Sequence, residues 1–148
     1  MASRAEYRVF SIAKANQAVR ELRRTLPALR RAVRNVEHME ERLEVLDLIC
    51  NRAVSADNPD LKEYLSTRER YHRVLAELSS KLATLDEKGY LLRDLEKGVV
   101  HFVARRAGEH VLLCWREGEP EVAHWLPLNG QGAPDEQQRQ RIDKNDEF

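Results

Sequence analysis

The chain has 148 residues, the ordinary size of one domain. Its 25 Lys and Arg balance 25 Asp and Glu, and this zero net charge argues against a protein that coats nucleic acid. Charged residues make up 34% and aromatic residues 6%, which favours long solvated helices over a β-sandwich, while six Gly and five Pro exclude a collagen or a flexible linker.

Two cysteines, Cys50 and Cys114, are too few for a disulfide framework, and neither lies in a C-x-x-C pair. No apolar run approaches the roughly 18 residues that a membrane span needs. The stretch from Met1 to Phe10 lacks an apolar core, so no signal peptide is expected. The expectation is a cytoplasmic protein with both thiols reduced and no membrane partner.

After Phe10 the apolar positions are Ile12, Ala15, Val19, Leu22, Leu26, Leu29, Val33 and Val36, stepping alternately by three and four along one helical face. The stripe continues through Met39, Leu43, Leu46 and Cys50 after a phase shift at Met39. Ser11 suits the N-cap. The helix extends to about Arg52, a length of about 60 Å, with a kink or a break expected near Thr25 because Pro27 stands inside it. Ser55, Ala56 and Asp57 read as a turn, Asn58 as a cap and Pro59 as the first residue of a second helix to Lys88. Its stripe is Leu61, Tyr64, Tyr71, Leu75, Leu78, Leu82 and Leu85, with Arg68 in one core slot facing Glu40, Glu44 or Asp47. Gly89 ends it. A short connection makes the two helices an antiparallel hairpin resembling a coiled coil.

Beyond Tyr90 the helical period is lost. Val99–Arg105, His110–Arg116 and Glu121–Pro127 read as three strands of an antiparallel β-meander. Pairing Arg105 with His110 puts Val100, Phe102, Ala104, Val111, Leu113 and Trp115 on one apolar face, which should pack on the helices. The class is therefore α+β: a long helical hairpin capped by a small three-stranded sheet. Residues 1–128 form this domain. Residues 129–148 are rich in Gln and charge and read as a loose polar tail whose removal should leave melting unchanged.

Two sequence blocks carry a resemblance. One is Phe10-Ser11-Ile12-Ala13-Lys14-Ala15-Asn16 followed by Glu21-Leu22. The other contains Arg93-Asp94-Leu95, Gly98-Val99-Val100, Phe102 and the run Leu113-Cys114-Trp115-Arg116-Glu117-Gly118-Glu119-Pro120-Glu121-Val122-Ala123-His124-Trp125. Over roughly Phe10 to Leu128 the chain resembles the bacterial domain-of-unknown-function 2203 family, sometimes labelled division-initiation-like. It departs from that pattern at Arg20, where Pro is usual, at His101, where an acidic residue is usual, and at Leu126, where His is frequent. The resemblance implies a shared fold and a bacterial origin, and no reaction.

The second face of the meander is mixed. The same register sets His101 opposite Cys114, and pairing Arg116 with Glu121 brings Trp125 to this side. His101, Cys114, Arg116, Glu119, Glu121 and Trp125 are therefore candidates for binding a ligand or partner, with Arg116 meeting an anion and Trp125 as a stacking wall. The alternative is a cross-strand ion pair over a half-buried core. Cys114 and His101 are too few donors for zinc, so no metal and no cofactor are expected there. On the helices, Glu69-x-x-His72 has the spacing of a carboxylate-bridged metal site, with His38 and Glu41 near by, but Glu69 points away from the seam and a solvated face is the favoured reading. Arg20, Arg23, Arg24, Arg30, Arg31 and Arg34 form a basic patch, again most simply a solvated face, and nucleic acid is not the expected partner.

No P-loop, G-x-S-x-G or G-x-G-x-x-G is present. The expected function is therefore non-catalytic: an interaction or scaffold protein, self-associating as a homodimer through Val45, Leu48, Ile49, Leu65, Val74 and Leu92, with a further protein partner allowed. The rival is a small-ligand-binding or enzymatic domain built on the Cys114–Trp125 motif.

Overall fold

The computed structural model describes residues 8–50, 58–128 and 135–148. The turn read at Ser55, Ala56 and Asp57, and residues 129–134 of the expected polar tail, lie outside the described residues. The chain divides into two compact units, Pro27–Ala83 and the residues flanking it through Leu26 and from Thr84. Helix α1 is Ile12–Cys50 and helix α2 is Pro59–Glu87. Neither is long and apolar enough to cross a membrane.

Helix ends follow the local chemistry. Ser11 Oγ accepts the Lys14 amide at 3.2 Å, and the Ser11 carbonyl takes the Ala15 amide at 2.9 Å, as an N-cap should. Asn58 Oδ1 caps α2 through the Asp60 amide at 2.8 Å. At the other end of α2, the Tyr90 amide donates to the Leu85 carbonyl and the Gly89 amide to that of Asp86. This Schellman arrangement needs the left-handed backbone of Gly89, at φ 82°. Helix α1 runs through Pro27 as one element, so of the kink or break expected there the break does not occur. One lost hydrogen bond and a ring clash cost about 3 kcal/mol, and buried Leu26 and Leu29 on the flanking turn hold the helical path.

Within Pro27–Ala83 the two helices form the expected antiparallel hairpin. Val36, Met39, Leu46 and Leu78 are buried along its seam. Arg42 donates to both carboxylate oxygens of Glu63 at 2.7 and 2.8 Å, and the Tyr71 hydroxyl donates to Glu40 at 2.9 Å. Arg68 does not occupy a core slot: it is exposed, and Thr67 is buried in its place. The seam steps by three from Tyr64 to Thr67 and by four to Tyr71, which spares an unpaired guanidinium the cost of burial.

The other unit holds a five-stranded antiparallel sheet in the order β1-β2-β3-β4-β5, where the sequence suggested three strands. The strands are β1 Leu91–Asp94, β2 Val99–Arg106, β3 Glu109–Arg116, β4 His124–Pro127 and β5 Gln140–Arg141. The β2–β3 register is the expected one, with Arg105 opposite His110 and His101 opposite Cys114. Val100, Phe102, Ala104, Val111, Leu113 and Trp115 are all buried. This face is tied to the start of α1: Phe10 meets Phe102 with ring centroids 5.1 Å apart, and Val122 donates its amide to Asn16 Oδ1 at 2.8 Å. Glu21 adds a polar tie by accepting from Lys88 and from the Tyr90 hydroxyl, whose pKa burial and this contact push up to about 12.

The β3–β4 register differs from expectation by one residue. Cys114 faces His124 and Leu113 faces Trp125. A slip of one residue sends a side chain to the opposite face, so Trp125 leaves the Cys114 side and is buried under the Arg106 guanidinium, 4.4 Å from the ring centre. The cause is the connection. Residues 117–123 leave the ladder, Trp115 Nε1 donates to the Glu119 carbonyl at 3.0 Å, and Glu121 is exposed outside the sheet. Replacing Trp115 with Ala should lower unfolding free energy by about 3–5 kcal/mol, the cost of deleting a buried large aromatic, as measured by urea unfolding. A loss below about 1 kcal/mol would mean that this side chain is not part of the core.

Candidate functional site

The second face of the sheet is not open. Val99, Val103, Leu112, Cys114 and Leu126 form a buried cluster with Leu91 packed against it. His101 lies within it at 1% exposure. A carboxylate from the C-terminal segment reaches this face. Asp135 caps a 3-10 turn, Glu136–Gln138, by accepting the Gln137 amide at 2.9 Å, and the turn aims Glu136 at the sheet.

Glu136 collects three partners. Its Oε1 takes a hydrogen bond from His101 Nε2 at 2.5 Å. Its Oε2 takes one from Arg116 at 3.1 Å and one from the Cys114 thiol at 3.4 Å. On the far side of the imidazole, Arg93 Nε donates to His101 Nδ1 at 3.3 Å. That pattern assigns the single ring proton to Nε2, and a neutral imidazole agrees with the pKa, which burial pulls below the usual histidine value. Burial also pushes the Cys114 thiol up to about 12, with Glu136 adding to the effect. Burial works to raise the Glu136 carboxyl, yet the hydrogen bonds from Arg116 and His101 outweigh it and hold the group below its ordinary range.

A second carboxylate, Glu119, organises the turn after β3. It accepts the Arg116 amide at 2.8 Å and a hydrogen bond from Arg139, and its other oxygen lies 3.2 Å from His124 Nδ1. A cavity of about 580 Å³ opens beside this cluster, lined by Arg93, Asp94, Lys97, Val99, His101, Arg116 and Glu136. Arg116 Nε is itself buried and has no hydrogen-bond partner among the described residues. A larger cavity of about 710 Å³ lies by Phe10, Lys14, Glu21, Lys88 and Tyr90, but its acid is already taken by Lys88 and Tyr90.

Of the residues singled out from sequence, His101, Cys114, Arg116 and Glu119 belong to this region. Trp125 and Glu121 do not, for the register and loop reasons above, and the expected Arg116–Glu121 pair is replaced by Arg116–Glu136. Arg93 and Glu136 were missed. Arg93 sits in a strand that has too few residues to show a period, and Glu136 is one acid among several in a polar stretch. The loose tail is itself corrected from residue 135 onward: β5 pairs with β4, and Arg106 donates to Asp146 at 2.8 and 3.0 Å.

Glu69, His72, His38 and Glu41 are all exposed. Among the described residues the one group of three metal-ligating types with converging donors is His101, Cys114 and Glu136. The basic patch is partly absorbed into structure: Arg23 donates to the carbonyls of Glu119 and Pro120, and Arg30 is half-buried. Arg20, Arg24, Arg31 and Arg34 are exposed.

Because the C-terminal segment supplies a strand and two carboxylate anchors, deleting everything after Leu128 should lower the melting temperature by several degrees, each 1 kcal/mol being worth about 4 °C or less at this size. An unchanged thermal unfolding curve would show that the segment adds nothing to the sheet.

Residues 8–133 match the model of a family described as an uncharacterised conserved protein, DUF2203, and the chain belongs to that family. No curated protein and no solved structure matches it.

Proposed function

We propose that this protein is a binding domain for a small anionic molecule, carried in the cavity between Arg93, Lys97 and Arg116. The observation that supports this most directly is Arg116 itself. It lines the cavity with a cationic side chain of which one NH2 group is committed to Glu136. The Arg116 side chain is 44% exposed, so the guanidinium at the cavity wall would meet an entering oxyanion with a charge-assisted bond. Three cations against Asp94 and Glu136 in the cavity wall, with His101 neutral, leave the site cationic. The reading is binding rather than catalysis.

Inorganic phosphate is the simplest probe. At a hundredfold excess over its Kd it should stabilise the chain by about 2.7 kcal/mol, seen as a rise in melting temperature against sodium chloride of equal ionic strength. Arg116→Ala should remove that rise while leaving the fold intact, because its salt bridge is half-exposed and worth about 0–1 kcal/mol. A response to phosphate that survives both Arg116→Ala and Arg93→Ala would sink the proposal.

Self-association through the hairpin is a second reading, and it has its own observation. Val45, Leu48, Ile49 and Leu65 are exposed, Leu48 at 76%, whereas Val74 and Leu92 are half-buried. Val45, Leu48 and Ile49 share one stripe at helical spacing, and a second copy of the chain would cover it. Light scattering should give about twice the 17.2 kDa chain mass, falling to the monomer mass in Leu48→Glu. A monomer at every concentration across a hundredfold dilution series would refute it.

A further inference from the structure

Cys114, His101 and Glu136 bring a thiol, an imidazole and a carboxylate together. Their donor atoms all lie within 4.8 Å of one another. Two of the three stand on the rigid centre of the sheet, because His101 and Cys114 are direct cross-strand partners on β2 and β3. The third is delivered by a capped turn that comes from outside the sheet. We propose that these three side chains form a binding site for one divalent cation of borderline softness, zinc by its chemistry, with its remaining coordination position turned to the cavity.

The distances agree with a tetrahedral ion. Metal–donor bonds of about 2.0–2.3 Å place neighbouring donors about 3.3–3.5 Å apart. The Cys114 sulfur lies 3.8 Å from Glu136 Oε1, the oxygen that Arg116 leaves to the metal, and would close by about 0.3 Å. His101 Nε2 and Glu136 Oε1, at 2.5 Å, share a proton and would separate by about 1 Å as the cation takes its place. Charge closes too: one thiolate and one carboxylate neutralise a divalent ion. Uptake releases one proton, from the Cys114 thiol, and the imidazole proton passes from Nε2 to Nδ1. Arg93, on an exposed side chain, then turns from Nδ1 into the cavity.

The surrounding groups suit that role. Arg116 holds one carboxylate oxygen and so orients the other, as an outer partner of a ligating carboxylate does. His101 and Glu136 belong to the cavity wall and Cys114 does not. The open position therefore faces Arg93, Lys97 and Arg116, and a coordinating anion would be gripped from both ends. In this respect the inference rests on the anion-binding reading and deepens it, since the ligand becomes an oxyanion bound to a metal. Glu136 then serves as more than a clasp for the C-terminal segment.

The test is a cobalt titration of the full chain, stripped with chelator and held in buffer free of phosphate. One equivalent of Co²⁺ should bring a sulfur-to-cobalt charge-transfer band, and Zn²⁺ should erase it. Cys114→Ser should abolish the band and Cys50→Ser should leave it. Glu136→Gln, which keeps a side-chain carbonyl to accept from Arg116 or His101, should weaken Co²⁺ binding at least tenfold with the circular dichroism spectrum unchanged. No band in the wild-type chain, a band lost with Cys50→Ser and kept with Cys114→Ser, or a Co²⁺ affinity indifferent to Glu136→Gln would overturn the proposal. Phosphate binding by the metal-free chain separates the two readings. If phosphate binds and Co²⁺ does not, the metal site falls and the anion site stands; if Co²⁺ binds and phosphate binds neither form, the reverse holds.

Discussion

The carboxylate of Glu136 accepts hydrogen bonds from three side chains of the outer sheet face, His101, Cys114 and Arg116. His101 and Cys114 stand among Val99, Val103, Leu112 and Leu126, where an imidazole without partners would cost several kcal/mol. The 3-10 turn brings an acceptor with two oxygens into that apolar setting, and His101, Cys114 and Arg116 all donate to it. The same contact anchors the chain beyond residue 135 and makes one wall of the cavity. Stability of the C-terminal segment and chemistry of the site are thus coupled through one side chain.

The opposite face obeys a different constraint. It is wholly apolar at Val100, Phe102, Ala104, Val111, Leu113 and Trp115, and its side chains need no polar partners beyond the Trp115 indole bond to Glu119. Two-sided burial explains why β2 and β3 read as nearly continuous apolar runs rather than as clean alternation. It also explains why His101 is conspicuous: in a strand buried on both sides, a polar residue is tolerated where it is satisfied.

Legibility in the sequence followed the range of the interactions. The helices were readable because a stripe of Leu and Val at three- and four-residue steps is a local signal, and Ser11, Asn58, Pro59 and Gly89 mark their ends by backbone chemistry alone. The β2–β3 register was readable because a tight turn between two runs of matched apolar residues leaves one pairing that keeps Trp115 with Phe102 and Val100. The β3–β4 register was not, because residues 117–123 are held by Asn16 and Arg23 of α1, contacts about a hundred residues away in sequence. Glu136 was hidden for the same reason. A two-residue strand and a three-residue turn carry no period, so nothing local distinguished this acid from its neighbours.

A buried cluster of His, Cys and Glu can be a structural clasp or a ligand site, and the difference lies in what else the protein places beside it. A clasp is complete once each donor has an acceptor, and it has no use for a cavity. Here the cluster opens on one, and Arg93 and Arg116 approach it from two strands. Closure of the C-terminal turn onto the sheet would have been cheaper with an apolar residue at position 136 and leucine or valine at 101 and 114, since burying well-packed apolar groups is often at least as stabilising as burying a polar network. The sequence keeps the costlier set where the outer sheet face borders a cavity lined by Arg93, Lys97 and Arg116, and that coincidence favours a ligand site over a clasp.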